Sequence, residues 1–102
     1  NRILEDAKLL EKAGVFSIVL ECVETSLAKL VTKNINIPTI GIGASKHCDG
    51  QILVSDDLIG LNPINVKFVK KYSNIRKQIS KAVSNYAMEV KKSKFPNKKH
   101  TY

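Results

Sequence analysis

The chain has 102 residues, of which 17 are Lys or Arg and 9 are Asp or Glu, for a net charge of +8, and 43% of its residues are hydrophobic. A chain of this length can build one hydrophobic core, but a complete (β/α)8 barrel takes about 250 residues. No apolar run reaches the roughly 20 residues that cross a bilayer, and the N-terminus lacks the basic and apolar regions of a signal peptide. We therefore expect a cytoplasmic protein that does not contact membranes.

Positive charge is concentrated in the C-terminal part. Residues 1–60 carry 6 basic and 8 acidic side chains, for −2, whereas residues 61–102 carry 11 basic and 1 acidic, for +10. Such an imbalance raises the possibility of nucleic-acid binding. However, 15 of the 17 basic residues are lysine, and no aromatic side chains alternate with them to stack on bases. A solvated helix face is therefore favoured over a nucleic-acid interface.

The first half of the chain alternates between helical and strand-like patterns. In chain order the predicted elements are a helix over 3–13 ending at Gly14, a strand over 15–20, a helix over 24–34, and strands over 39–43 and 51–54. The first strand is a mostly continuous apolar run, interrupted only by Ser17, so we expect it to be buried on both faces. Thr25 or Ser26 is expected to cap the second helix. This order is typical of βαβ units, whose strands end at one common edge of a parallel sheet.

The second half is predicted to be helical and basic. Asp56 and Asp57 are expected to begin a short helix, because carboxylates favour the positive helix N-terminus. A short basic turn or helix over 67–72 and a long helix over 74–92 follow, and then an irregular tail from Phe95. The apolar stripe of the long helix comprises Ile75, Ile79, Ala82, Val83, Tyr86 and Val90. We predict one domain over 1–102, with the βα units in 1–60 and the basic helices and tail in 61–102.

Glu21 is the first candidate for chemistry. It directly follows the apolar residues 18–20 and is therefore expected at the carboxyl end of a buried strand. Reacting groups gather at this edge in parallel α/β folds, and a carboxylate desolvated there can act as a general base. The alternative is a solvated strand-end acid, or one paired with a neighbouring lysine.

Two other segments carry groups of interest. The glycine-rich segment 41–46 lacks the third glycine of a dinucleotide-binding motif and the end of a phosphate-binding loop, so its glycines are expected to permit a tight strand exit. The segment 46–49 holds three consecutive potential metal ligands, which rarely face one ion. Cys22 and Cys48 fit neither a disulfide framework nor a zinc site, so both are expected to be reduced packing residues.

Several ordered motifs closely resemble the ketopantoate hydroxymethyltransferase family. They are Val-Leu-Glu-Cys-Val at 19–23, Ile-Pro-Thr-Ile-Gly-Ile-Gly-Ala at 37–44 and Cys-Asp-Gly-Gln-Ile-Leu-Val at 48–54, followed by Asp56, 58–61, 67–72, Phe95, Pro96 and His100. The order and spacing hold across nearly the whole chain. Ser45 departs from the glycine that the family usually has there, and Val66 departs from the usual proline. These departures bear on the strand-exit loop and on local geometry.

The resemblance implies the C-terminal portion, about the last three βα units, of a (β/α)8 TIM barrel of the phosphoenolpyruvate/pyruvate type. The family transfers a hydroxymethyl group from 5,10-methylenetetrahydrofolate to 3-methyl-2-oxobutanoate, which gives 2-dehydropantoate on the route to pantothenate and coenzyme A. It uses Mg²⁺, acts on small-molecule substrates in the cytoplasm, and in bacteria is typically a homodecamer. These properties are expectations for a protein that contains this chain.

The resemblance also implies a role for Glu21, which matches the family's proton acceptor. The family's metal-ligating and substrate-binding residues belong to its N-terminal part, so we expect none of them in this chain. A sheet of three barrel strands leaves an unpaired edge and an incomplete interior. We therefore expect the isolated chain to be inactive and prone to associate.

Two alternative functions remain open on the sequence alone. One is another Mg²⁺-dependent barrel lyase or aldolase acting on a 2-oxo acid, which would not depend on tetrahydrofolate. The other is a small basic module that binds nucleic acid through its lysine-rich helix, and that binding would weaken steeply with salt.

Overall fold

The chain forms two compact units in the computed structural model, which describes all residues from Asn1 to Tyr102. The first unit comprises residues 1–54 with 66–69, and the second comprises 55–65 with 70–102. The first unit contains, in chain order, helix α1 (Arg2–Lys12), strand β1 (Ile18–Glu21), helix α2 (Thr25–Asn34), and strands β2 (Thr39–Ile42) and β3 (Gly50–Gln51). The second contains helices α3 (Ser55–Leu58) and α4 (Ile75–Lys91) and a 3₁₀ turn (Lys98–His100). The predicted order of helices and strands is confirmed.

The three strands form one parallel sheet in the order β1-β2-β3. In the pairing of β1 with β2, Ile18 lies opposite Thr39 and Glu21 lies opposite Ile42. The third strand is shorter than predicted, because only Gly50 and Gln51 pair with β2 before the chain turns towards α3. The predicted α/β class with a parallel sheet is confirmed, and the carboxyl ends of β1 and β2 share one edge.

The core lies on one face of this sheet. Ile18 and Leu20 of β1 are buried there with Ala28 and Val31 of α2. The prediction that the first strand is buried on both faces is wrong. Its alternate residues face the other way, and Val19 is 54% exposed. The apolar run is therefore half-buried, because helices cover only one face of the sheet.

A buried polar group joins β2 to the loop that precedes β3. The Thr39 side chain is fully buried, and its hydroxyl lies 2.8 Å from the Thr32 hydroxyl of α2. The Asp49 carboxylate accepts a hydrogen bond of 2.8 Å from the Thr39 backbone N–H. Since a buried polar group without a partner is costly, this arrangement fixes β2 against both α2 and the loop.

Helix ends in the first unit follow local sequence signals. Asn1 caps α1 by accepting a hydrogen bond from the Ile3 backbone N–H. Gly14 follows the end of α1 with a φ of +94°, a left-handed conformation that glycine adopts without a Cβ penalty. The predicted helix stop at Gly14 is therefore confirmed.

The second unit begins with the short helix α3, which has Asp56 and Asp57 in its first turn as predicted. The backbone N–H of Tyr72 donates to the Leu58 carbonyl at 2.8 Å, and that of Ile75 donates to the Ile59 carbonyl at 3.1 Å. These hydrogen bonds link the end of α3 to the start of α4. The segment 67–72, predicted as a short turn or a helix, contains turns and no helix.

Helix α4 begins after Asn74, whose side chain caps it, but its apolar stripe is not buried. No residue of α4 is buried, and Val83 is 61% exposed. The sequence pattern gives the helix correctly but does not show whether anything covers its stripe. No helix of the chain is both long and apolar enough to span a membrane.

The tail after α4 is more ordered than predicted. The Phe95 ring packs at 5.6 Å from the Tyr86 ring and at 5.3 Å from the His100 ring, measured between centroids. The 3₁₀ turn over Lys98–His100 begins after Asn97, whose side chain accepts a hydrogen bond from the Lys99 backbone N–H. Aromatic contacts therefore fold the tail back on the end of α4.

Candidate functional site

Glu21 is the last residue of β1, at the carboxyl edge of the sheet, as predicted. Its side chain is exposed on the face that no helix covers, and its carboxylate makes no hydrogen bond or ion pair within the chain. In this chain the desolvation expected from the sequence is absent. The carboxylate is therefore accessible to a group placed against the open face of the sheet.

Cys22 turns the chain out of the sheet directly after Glu21. Its φ of +51° is left-handed, which is unusual for a residue other than glycine. Its backbone N–H still donates to the Ile42 carbonyl at 2.9 Å, which continues the hydrogen bonding between β1 and β2 one residue beyond the end of β1. Both cysteines are free as predicted, and the buried Cys48 is a packing residue. The packing role predicted for Cys22 is wrong, because its side chain is exposed.

A cleft of about 690 Å³ lies beside this edge of the sheet. Residues 22–25, 43–46 and 67–68 line it together with Gln51, and all of them belong to the first unit. Gly43 has a φ of +62° and lies against Phe68, so the predicted tight strand exit is confirmed. The cleft thus lies between the segments that follow β1 and β2 and the turn at residues 67–68.

Hydrogen bonds within the loop after β2 shape one wall of the cleft. Ser45 is buried, and its hydroxyl accepts a hydrogen bond of 3.1 Å from the His47 backbone N–H. The Gln51 side-chain amide donates to the Ser45 carbonyl at 2.6 Å. Ser45 therefore takes part in the loop's own hydrogen bonding, in place of the glycine usual in the resembled family.

Glu24 caps α2, so the prediction of Thr25 or Ser26 as the cap is wrong. The Glu24 carboxylate accepts hydrogen bonds from the Ser26 hydroxyl and from the backbone N–H groups of Ser26 at 3.1 Å and Leu27 at 3.3 Å. These bonds favour the ionised form and hold the pKa of the Glu24 carboxyl below its usual range, with the Ser26 hydroxyl contributing most. The Thr25 hydroxyl instead donates to the Ala44 carbonyl at 3.3 Å, which ties α2 to the loop after β2.

We predict a pH-dependent contribution of Glu24 to stability. A carboxyl whose pKa is lower in the folded chain stabilises it fully above the unfolded pKa of about 4.3 and loses that contribution as pH falls through the folded pKa. Comparing urea midpoints of the wild-type chain and Glu24→Gln from pH 7 to pH 2 tests this. The wild-type advantage should shrink at the acid end, whereas Glu89→Gln on α4, an exposed carboxylate without a hydrogen bond or ion pair, should show no comparable trend. An advantage that is constant with pH would contradict the prediction.

The chain does not supply a magnesium site. No group of three or more His, Cys, Asp or Glu side chains is placed to hold a metal ion. In the segment 46–49 that the sequence singled out, Cys48 is buried and the Asp49 carboxylate is bonded to Thr39. The residues present therefore do not fit Mg²⁺. Its expected ligands, like the substrate-binding residues, remain predicted for sequence outside these 102 residues.

Sequence reasoning singled out the segment 41–46, of which residues 43–46 line the cleft, but it gave no site role to Gln51, Lys67 or Phe68. Phe68 and Lys67 lie in a turn without hydrophobic periodicity, and Gln51 lies in a strand two residues long. These three residues lie within the motifs at 48–54 and 67–72 that carry the family resemblance, but the resemblance implied no role for them.

Comparison with known proteins agrees with the resemblance. A family model described as ketopantoate hydroxymethyltransferase matches residues 1–98. Relatives named 3-methyl-2-oxobutanoate hydroxymethyltransferase include one from Pelagibacter ubique, 68% identical over 98% of this chain, and one from Clostridium botulinum, 53% identical over 100% of it. The chain spans 39% of the first relative's length and 38% of the second's. With nearly every residue of it matched, the chain belongs to the ketopantoate hydroxymethyltransferase family.

Proposed function

We propose that this chain forms part of an enzyme that transfers a hydroxymethyl group from 5,10-methylenetetrahydrofolate to 3-methyl-2-oxobutanoate, giving 2-dehydropantoate. The observation that carries the proposal is the position of Glu21. Its unpaired carboxylate lies at the carboxyl end of a parallel strand, on the uncovered face of the sheet. The names of the relatives support hydroxymethyl transfer to 3-methyl-2-oxobutanoate, and the folate donor rests on the family resemblance.

The reaction requires a base near the substrate. A new carbon–carbon bond at C3 of the 2-oxo acid forms only after the proton on C3 has been removed. In the proposed step the C3–H bond breaks, the proton passes to the Glu21 carboxylate, and the electron pair is left on the substrate, delocalised towards the 2-oxo oxygen. The substrate carbanion then attacks the one-carbon unit of the folate, whose two carbon–nitrogen bonds break in turn. Water supplies the hydroxyl oxygen of the new hydroxymethyl group. The proton from C3 and one proton from that water go to the two folate nitrogens, so tetrahydrofolate leaves. General-base catalysis of this kind typically contributes about 10²- to 10⁴-fold in rate.

The sheet supports a place for this chain in a (β/α)8 barrel. In a barrel the helices cover the outer face of the strands, and the inward-facing residues alternate with the outward-facing ones. Here Ile18 and Leu20 face the helices, while Val19 and Glu21 face the uncovered side. We therefore propose that the uncovered face lines the barrel interior. The bacterial homodecamer and the cytoplasmic location remain predictions from the family resemblance.

A chimera tests the proposed function. The parts of the Pelagibacter ubique relative that this chain does not match would be joined to the 102 residues, and formation of 2-dehydropantoate would be measured with and without methylenetetrahydrofolate. We expect transfer that requires the folate, and none from the 102 residues alone. A chimera that is inactive while the intact relative is active in the same assay would overturn the proposal. Folate-independent aldol activity would instead favour the alternative lyase or aldolase.

A further inference from the structure

Two lysines that line the cleft have no ionic partner. Lys46 and Lys67 line it with Glu24, so its net charge is +1 from two cations and one anion. The Glu24 carboxylate is engaged by the hydrogen-bond donors at the start of α2. Neither lysine forms an ion pair in the structure, and both side chains are exposed. The groups free to bind a ligand in this cleft are therefore cationic.

The remaining lining is apolar or internally satisfied. Val23, Ala44 and the half-buried Phe68 supply apolar surface. The Gln51 amide and the Thr25 hydroxyl donate to carbonyls of the loop after β2. A volume of about 690 Å³ is in the range of small-molecule sites, which are mostly apolar with a few polar groups that orient the ligand. The complementary ligand therefore has an aromatic or apolar body and carries anionic groups.

The position of the cleft sets which part of a substrate reaches it. It begins at Cys22, the residue after Glu21, but Glu21 itself does not line it. A molecule in the cleft thus lies beside the proposed base, with its reacting end outside the cleft. This placement suits a long co-substrate whose reactive group and anionic tail are far apart.

We propose that the cleft binds the aminobenzoyl-glutamate tail of the folate co-substrate, with Lys46 and Lys67 contacting its carboxylates and Phe68 packing against its benzoyl ring. The proposal rests on the proposed function, because that function supplies the folate. Reduced folates join a pterin that carries the one-carbon unit to a benzoyl ring and one or more glutamates. Their anionic and aromatic tail has the chemistry that the cleft selects.

Direct binding to the chimera tests this subsite without any catalytic assay. The probe is para-aminobenzoyl-glutamate, added to the ¹⁵N-labelled chimera and followed by NMR, with the uncharged para-aminobenzamide as the comparison. We expect saturable shifts at Gly43, Lys46 and Phe68 from the first compound and much weaker shifts from the second. Equal binding of both compounds, or shifts that avoid the cleft, would overturn the proposal.

Lysine variants provide the matched control. The double variant Lys46→Gln/Lys67→Gln should weaken binding of para-aminobenzoyl-glutamate about ten-fold, since exposed ion pairs are individually weak and two are lost. Lys29→Gln, an exposed lysine of α2 outside the cleft, should leave the affinity unchanged. Equal weakening by Lys29→Gln would show a nonspecific charge effect and reject the subsite.

Kinetics of the chimera separate this proposal from the proposed function. In an active chimera the double lysine variant should raise KM for the folate about ten-fold and leave KM for the 2-oxo acid unchanged. If the folate KM does not move, the subsite is wrong and the proposed function stands. If the probe binds in the cleft but the chimera transfers nothing, the proposed function fails and the binding site for an anionic aromatic ligand remains.

Discussion

Replacing Glu21 by glutamine in the active chimera is expected to lower kcat for hydroxymethyl transfer by about 10²- to 10⁴-fold. Glutamine keeps the size and polarity of the side chain but cannot accept the C3 proton. Because the Glu21 side chain is exposed and makes no hydrogen bond within the chain, the substitution removes no structural contact seen here. The loss should therefore appear in kcat with little change in stability, and both would be measured on the same preparation.

A second readout isolates the proton-transfer step. Exchange of the C3 proton of 3-methyl-2-oxobutanoate with D₂O, followed by NMR without the folate, reports deprotonation before any carbon–carbon bond forms. Glu21→Gln should abolish enzyme-dependent exchange, whereas Glu5→Gln on the exposed surface of α1 should leave exchange and transfer within about two-fold, as a substitution remote from the chemistry. Turnover of Glu21→Gln within about ten-fold of the wild type would reject Glu21 as the base.

The local features of the fold were predictable because neighbouring residues determine them. The stop of α1 depends on Gly14, and the start of α3 depends on the acidic pair Asp56 and Asp57. The position of Glu21 at a strand end follows from the apolar residues before it. Each of these signals acts within one turn of helix or one strand, so the sequence alone contains it.

Burial was less predictable because it depends on which surface covers a face. Val19 lies in the same β-branched run as the buried Ile18, yet Val19 is exposed. Likewise Val83 lies on an apolar helical stripe that periodicity assigns to a core, and no residue of that helix is buried. Hydrophobic pattern indicates which face needs covering, but the covering layer is a property of the whole assembly.

The cleft was beyond sequence reasoning for a different reason. Gly43 and Phe68 are 25 positions apart, and no periodicity links them. The glycine-rich segment predicted a tight strand exit, but the residue packed against that exit is set by the tertiary fold. The capping role of Glu24 was missed because Ser and Thr are stronger general N-cap signals, and both follow it directly.

The contact between Gly43 and Phe68 leads to a large expected loss of stability in Gly43→Ala. A Cβ atom at position 43 would lie 2.6 Å from Cγ and 2.8 Å from Cβ of Phe68, too close for either atom to remain in place. Alanine also adopts the left-handed φ of +62° at a cost of about 1–2 kcal/mol. Together with the displaced ring, we expect the free energy of unfolding to fall by about 2–4 kcal/mol, measured by urea denaturation.

Two comparisons separate backbone strain from the steric clash. Gly14 is also left-handed but has no atom within 4 Å of a Cβ built on it, so Gly14→Ala should show only the conformational cost of about 1–2 kcal/mol. In a Phe68→Ala background the clash is removed, and Gly43→Ala should there cost about as much as Gly14→Ala. Equal losses from Gly43→Ala with and without Phe68 would show that the ring is not the obstacle. If Gly43→Ala costs much less free energy of unfolding in the Phe68→Ala background than in the wild type, Phe68 packs on the strand exit and forms that wall of the cleft.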